Sequence, residues 1–239
     1  MAEYTGTFET GVNGNAVLIS DAGSATPWNA VSDPANVTVT YSDVQKYQTL
    51  SCLITNDATG GIGHVEWDNN TISPSFSGTH YGRIYVYYSG AIPGSSHFLV
   101  RALDTGGARS WEIIVLNTGI IIMRDAGGTT RVTFTTAVGA ASWFRFEWRV
   151  VQSTTAGELE GKLFLSADSG SPTETQTSSG AFSTLADTAF FRFGAPALAV
   201  PNLVVHIDNI LANDTGYPGP AIESPHWRSQ YLDYDYSRT

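Results

Sequence analysis

The sequence predicts an all-β protein, a sandwich or a barrel with almost no helix. Three observations lead there. In Trp143-Phe144-Arg145-Phe146-Glu147-Trp148-Arg149-Val150-Val151, the apolar Phe144, Phe146, Trp148 and Val150 alternate with Arg145, Glu147 and Arg149. Side chains alternate across a strand, so this pattern makes a half-buried antiparallel strand with Trp148 in the core and Arg145 outside; on a helix it would scatter the rings all round. Short apolar runs recur along the chain, separated by turn chemistry such as Asp57-Ala58-Thr59-Gly60-Gly61, Asp104-Thr105-Gly106-Gly107 and Asp125-Ala126-Gly127-Gly128. Finally, no segment carries a convincing helical period; the best candidate, residues 182–187, is one turn at most.

The strands are expected, in order, at 16–19, 37–41, 50–55, 83–88, 98–103, 111–116, 120–124, 131–135, 143–151, 161–166, 190–193 and 203–211. Residues 111–124 read as a hairpin about Asn117-Thr118-Gly119, and 131–135 alternates with Val132 and Phe134 inward. Residues 168–180, rich in Ser, Thr and Gly, read as a long exposed loop. After Tyr217-Pro218-Gly219-Pro220 the strand pattern stops, yet the tail holds Trp227, Tyr231, Tyr234 and Tyr236. A disordered tail is poor in aromatics, so this one is expected to dock.

Composition narrows the function. The 239 residues hold 24 Gly, 12% aromatics and 14% charged residues, with a net charge of -10. That suits one sizeable β domain, and it argues against nucleic acid as a partner, because phosphate contacts need clustered Lys and Arg. Cys52, the single cysteine, sits in the apolar Leu50-Ser51-Cys52-Leu53-Ile54 and reads as a buried small hydrophobe. Met1-Ala2-Glu3-Tyr4-Thr5 has neither a basic nor an apolar leader region, so synthesis in a cytoplasm without a cleaved secretory signal is expected. No apolar run approaches a membrane span. His64, His80, His97, His206 and His226 lack the spacing of a zinc site.

Several segments, taken in order, resemble the concanavalin A-like, laminin-G-like jelly roll. Phe8-Glu9-Thr10-Gly11 resembles its opening strand and turn, and Tyr81-Gly82-Arg83-Ile84-Tyr85-Val86 an early strand. The 143–150 run resembles its Trp-x-Arg-x-Glu-x-x-Val strand, Gly161-Lys162-Leu163-Phe164-Leu165 the next one, and His206-Ile207-Asp208-Asn209-Ile210 the closing strand that pairs with the first. The resemblance implies a single jelly-roll β-sandwich over residues 1–216, followed by a Pro-Gly-Pro linker and aromatic docking tail over 217–239. The superfamily includes lectins, glycan-binding modules, glucanases and virion proteins, so fold alone does not select a function.

A signal-less, single-Cys copy with such a tail resembles the versions found in tailed-phage particles. That implies a non-enzymatic virion decoration or tail protein. Trp227, Arg228, Tyr231, Tyr234 and Tyr236 would then dock on other virion proteins, since such residues are enriched at interface hot spots; the alternative is that the tail folds back on its own sandwich. Arg83, Tyr85, Tyr87, Arg145 and Arg149 would form a lectin-like face for cell-surface polysaccharide, by ring stacking and hydrogen bonds. The other reading makes Tyr85 and Tyr87 half-buried sheet residues stacked on Arg149, and register decides between them.

A glycan-degrading enzyme is the alternative from another class. Laminarinase-type glucanases carry Glu-x-Asp-x-x-Glu, and His64-Val65-Glu66-Trp67-Asp68 supplies the first two acids but not the third. Glu66 and Asp68 on one strand face would lie roughly 6–7 Å apart, which does not decide for catalysis. Related jelly rolls hold a structural calcium where first and last strands meet, which would place Glu9 and Asp208 together as metal ligands. The bland reading is a solvated Glu9 and a turn-capping Asp208.

Overall fold

A computed structural model describes residues 3–19, 26–44, 46, 49–71, 78–185 and 187–221. Among these there is no helix, and the chain forms a jelly-roll β-sandwich of two antiparallel sheets. Its strands are β1 (Glu3–Gly6), β2 (Ala30–Ser32), β3 (Val37–Ser42), β4 (Ser51–Asn56), β5 (Gly63–Asp68), β6 (Thr79–Tyr88), β7 (His97–Leu103), β8 (Arg109–Val115), β9 (Ile120–Arg124), β10 (Thr130–Ala137), β11 (Phe144–Val151), β12 (Glu158–Phe164), β13 (Glu174–Ser179), β14 (Phe190–Ala195) and β15 (Val204–Asn213). The first sheet runs β13-β12-β11-β6-β15-β4-β3, with β1 also on β15. The second runs β10-β9-β8-β7-β14-β5-β2.

The first and last strands pair, from Glu3 opposite Asn213 to Gly6 opposite Ile210. A register shift between Asp208 and Leu211 bends β15, and Asn209 takes a positive φ of 43° there. Asn tolerates the left-handed region better than most residues, so a bulge at this position suits the sequence.

The inward face of β11 is as the alternation predicts: Phe144, Phe146, Trp148 and Val150 are all buried. Trp148 lies opposite Gly82 on one side and Gly161 on the other. A Cβ on Gly82 would sit 2.0 Å from the Trp148 ring, so the indole occupies the space that a side chain would fill. At the other end of the core, Trp28 stacks on Trp67 at 4.7 Å and Phe193 meets Trp67 edge-on at 5.2 Å. Cys52 is buried in this core.

Three local expectations need correction. Residues 16–19 make only an isolated bridge, Ala16 to Thr40, and leave Leu18 and Ile19 exposed. The run is apolar, but its ladder contact with β3 stops at Val17, whose amide donates to the Val39 carbonyl at 2.9 Å. The supposed loop 168–180 contains β13, whose Ser and Thr side chains suit an edge strand pairing with β12. The opening strand lies at Glu3–Gly6, before the Phe8-Glu9-Thr10-Gly11 segment, where Phe8 turns with a φ of 60° and buries its ring against Trp28.

Candidate functional site

The outer face of the first sheet is where the alternation places Arg83, Tyr85, Tyr87, Arg145 and Arg149. Arg83, Tyr85 and Arg145 are buried, a correction to the expectation of an open face; Tyr87 and Arg149 are half-buried. Two later stretches of chain cover them. Residues 217–221 lie across the sheet: the Ala221 amide donates to the Tyr85 hydroxyl at 2.7 Å, and Arg83 donates to the Gly219 carbonyl at 2.9 Å. Tyr217 meets Tyr81 edge-on at 5.3 Å and lies under the Lys162 ammonium at 3.4 Å. The turn after β12 covers the rest, with Arg145 donating to the carbonyls of Ala167 and Ser169.

Arg145 therefore belongs to a buried ionic network rather than to a wet surface. Its Nε lies 2.9 Å from Glu147 Oε1, and its guanidinium stacks 3.7 Å over the Phe164 ring. Burial raises the Glu147 carboxyl above its ordinary range, opposed by the charges of Arg145, Arg83 and Lys162. Arg149 pairs with Glu158 at 2.8 Å instead of stacking on Tyr87. The start of the tail folds back on its own sandwich as far as Ala221; Trp227, Arg228, Tyr231, Tyr234 and Tyr236 lie outside the described residues.

Glu9 and Asp208, the residues that the resemblance implied as calcium ligands, both accept from N–H donors of the segment between β3 and β4. Glu9 accepts from the Thr49 amide at 2.9 Å, the Thr49 hydroxyl at 2.6 Å and the Leu50 amide at 3.3 Å. Asp208, fully buried, accepts from the Lys46 amide at 2.9 Å and from its neighbour Asn209 at 2.6 Å. Carboxylate oxygens engaged by N–H donors are poor fits for a cation. No cluster of three or more His, Cys, Asp or Glu able to hold a metal occurs among the described residues. Both acids instead tie the segment between β3 and β4 to the sandwich.

A second row of charges lies on the outer face of the second sheet. Its cross-strand register puts Glu66, Arg192, Arg101, Glu112 and Arg124 in one row, each opposite the next. They come from β5, β14, β7, β8 and β9, on the face opposite the core residues Trp67, Phe191, Ile113 and Met123. Arg192 grips Glu66 at 2.5 Å, while Arg101 and Arg109 hold the fully buried Glu112 at 3.0 and 3.3 Å. Burial raises the Glu112 carboxyl, opposed by Arg109, Arg101 and Arg124.

Arg124 differs from the others. It is half-buried, its Nε is shielded from solvent, and its side chain makes no hydrogen bond or ion pair among the described residues. Four guanidiniums thus surround two carboxylates on a chain of net charge -10, and one of the four, Arg124, acts on Glu112 through its charge alone. A guanidinium presents a planar fork of donors that matches carboxylate or sulfate oxygens in a bidentate fashion. Below the row, Phe98, Ile114 and Ile122 pack into a small apolar cluster with Leu116, Ile120 and Ala197, and Arg101 lies 5.7 Å over the Phe98 ring.

Glu66 and Asp68, the acids of the glucanase-like motif, sit on this face with different partners. Glu66 is held by Arg192, and Asp68 caps its own turn by accepting from the Asn70 amide at 2.9 Å. The sequence reading missed Arg101, Glu112, Arg124 and Arg192 as a group. The available signal was one charge per otherwise apolar strand run, at positions that must face away from the core.

No family model matches the chain, and no curated protein matches it. Solved structures resemble it in fold. "Cellulose induced protein, Cip1" superposes with a TM-score of 0.57 at 16% identity, over 91% of this chain and 99% of that one. A protein of unknown function from Shewanella oneidensis MR-1 gives a TM-score of 0.55 at 15% identity, over 88% of this chain and 84% of the other. At such identities the likeness establishes a shared β-sandwich architecture.

Proposed function

We propose that the chain is a non-enzymatic glycan-binding β-sandwich whose second sheet takes an acidic polysaccharide on its outer face. The observation that carries this reading is Arg124, a half-buried guanidinium that acts on Glu112 through its charge yet makes no hydrogen bond among the described residues, in a row with Arg101 and Arg192. A uronate or sulfate group supplies the planar anion that such a fork binds, and its sugar ring supplies hydroxyls for the remaining donors. The lectin-like role expected for Arg83, Tyr85 and Arg145 thus moves to the second sheet, since residues 217–221 and the turn after β12 cover those three side chains. A non-catalytic role is supported by Glu66 and Glu112 both being held in ion pairs with arginine.

The virion setting belongs to the same proposal and rests on the sequence resemblance. In it, Trp227, Arg228, Tyr231, Tyr234 and Tyr236 anchor the domain to other particle proteins and the sheet faces a cell-surface polysaccharide. Mass spectrometry of purified particles tests that part.

Calorimetric titration with polygalacturonate, alginate and hyaluronate, against dextran as the neutral control, tests the glycan reading. Binding to at least one acidic polymer is expected, weakening as salt rises and falling about tenfold in Arg124→Gln. Equal affinity for dextran, or binding unchanged in Arg124→Gln, would overturn it. New reducing ends or unsaturated products during incubation would assign the chain to the enzymes instead.

A further inference from the structure

The loop between β6 and β7, residues 90–95, forms one wall of an open cleft of about 510 Å3. Pro201, Asn202 and Val204 form the other wall. This volume lies in the range of small-ligand sites. The sequence Gly90-Ala91-Ile92-Pro93-Gly94-Ser95 has little side chain to shield its backbone, and none of these residues makes a hydrogen bond among the described residues. The amide and carbonyl groups of the exposed Gly90, Ala91, Gly94 and Ser95 remain open to a ligand or to water.

The cleft leads onto a group of rings. Ser89, next to the loop, places its hydroxyl 3.2 Å from His206 Nε2. Val204 precedes His206 by two residues on β15, so both point from the same face, and Val204 is 37% exposed. Tyr87 lies opposite His206 in register, with the rings 5.6 Å apart, and Trp143 lies 5.5 Å from Tyr87 at a tilt of 35°. Tyr87 and Trp143 are half-buried, each keeping part of its ring in water.

The chemistry narrows the occupant. No Lys, Arg, Asp or Glu lines the cleft, so nothing in its walls selects an ionic group. Strand β6 is paired on both sides, with β11 and β15, so no ladder edge is free beside the rings for an extended peptide to join. What remains is a ligand with apolar ring faces for Tyr87 and Trp143 and with many hydroxyls for the loop amides and carbonyls. We propose that the cleft and the adjoining Tyr87–Trp143 pair form a second glycan site, for a neutral oligosaccharide. It lies on the other sheet from the arginine row and is independent of it.

The full chain, labelled with nitrogen-15, is titrated with millimolar neutral hexasaccharides of the β-1,4-glucan, β-1,3-glucan, α-1,4-glucan, β-1,4-xylan and β-1,4-mannan series. At least one should shift the amide resonances of residues 90–95 and the indole resonance of Trp143. Val204→Arg, at an exposed position, should weaken that binding about tenfold by filling the cleft. Trp143→Ala should do the same; because Trp143 also packs on Tyr85, its effect is read together with Val204→Arg. Arg124→Gln should change nothing. No shift with any of the five sugars overturns the proposal, as does binding that survives Val204→Arg or is lost in Arg124→Gln.

Discussion

Arg145 and Glu147, two residues apart on β11, form an ion pair at 2.9 Å with both side chains withdrawn from solvent on what would otherwise be the wet face of the sheet. Removing one partner of a buried pair leaves an uncompensated charge, which costs far more than losing an exposed pair. Arg145→Ala is therefore expected to destabilise by about 3–5 kcal/mol, not by the few tenths of an exposed position. Urea denaturation midpoints check this. Replacing both residues, as Arg145→Met with Glu147→Leu, should recover most of the loss, because two apolar groups strand no charge.

Gly82→Ala should be among the most damaging small substitutions. The new methyl would meet the Trp148 ring at 2.0 Å, and Trp148 is itself wedged between two strands and the opposite sheet. Overpacking of a filled core costs about 1–3 kcal/mol or more. In the double variant Gly82→Ala with Trp148→Phe the smaller ring should relieve the clash, giving a stability above that of Gly82→Ala alone. A double variant less stable than the single one would show that the ring is not the obstacle.

Stability should decline in acid well before the carboxylates titrate. Burial lowers His80 to about 3, and His64, His97 and His206 each to about 4. Unfolded histidines take up protons near pH 6.5, so below that value the unfolded state binds more protons than the folded one. Stability is then full above pH 6.5 and is lost as pH falls from about 6.5 towards 4. Glu112 and Glu147, raised by burial, act in the opposite sense and soften the loss at the acid end. A drop in melting temperature of about 10 °C between pH 7 and 4.5 is expected by calorimetry. A melting temperature flat across that interval would contradict it.

The latch between β3 and β4 should respond to its acids and not to chelator. Asp208→Asn replaces one of the two amide acceptors with a donor, so it should destabilise by about 1–3 kcal/mol. Glu9→Gln should cost less, because its contacts to Thr49 lie in solvent. Melting curves with and without EDTA should superimpose for all three proteins. A chelator-dependent shift that disappears in Asp208→Asn would restore the calcium reading.

The core of this sandwich was legible before any coordinates. Alternation around Trp148 fixes which side chains lie on the same side of a strand, because the pleat has period two and depends only on local geometry. The family resemblance implied that first and last strands pair, though it placed the first at Phe8–Gly11 instead of Glu3–Gly6, and Cys52 read as core from its apolar neighbours. Local pattern could not say what covers the other side. Arg83 and Tyr85 are hidden because Gly219 and Ala221, some 136 residues later in the chain, lie down on them. The row from Glu66 to Arg124 likewise exists only because five strands from distant parts of the chain fall into register. Periodicity assigns a residue to a face, but it takes long-range packing to make that face a core, a covered network or an open site.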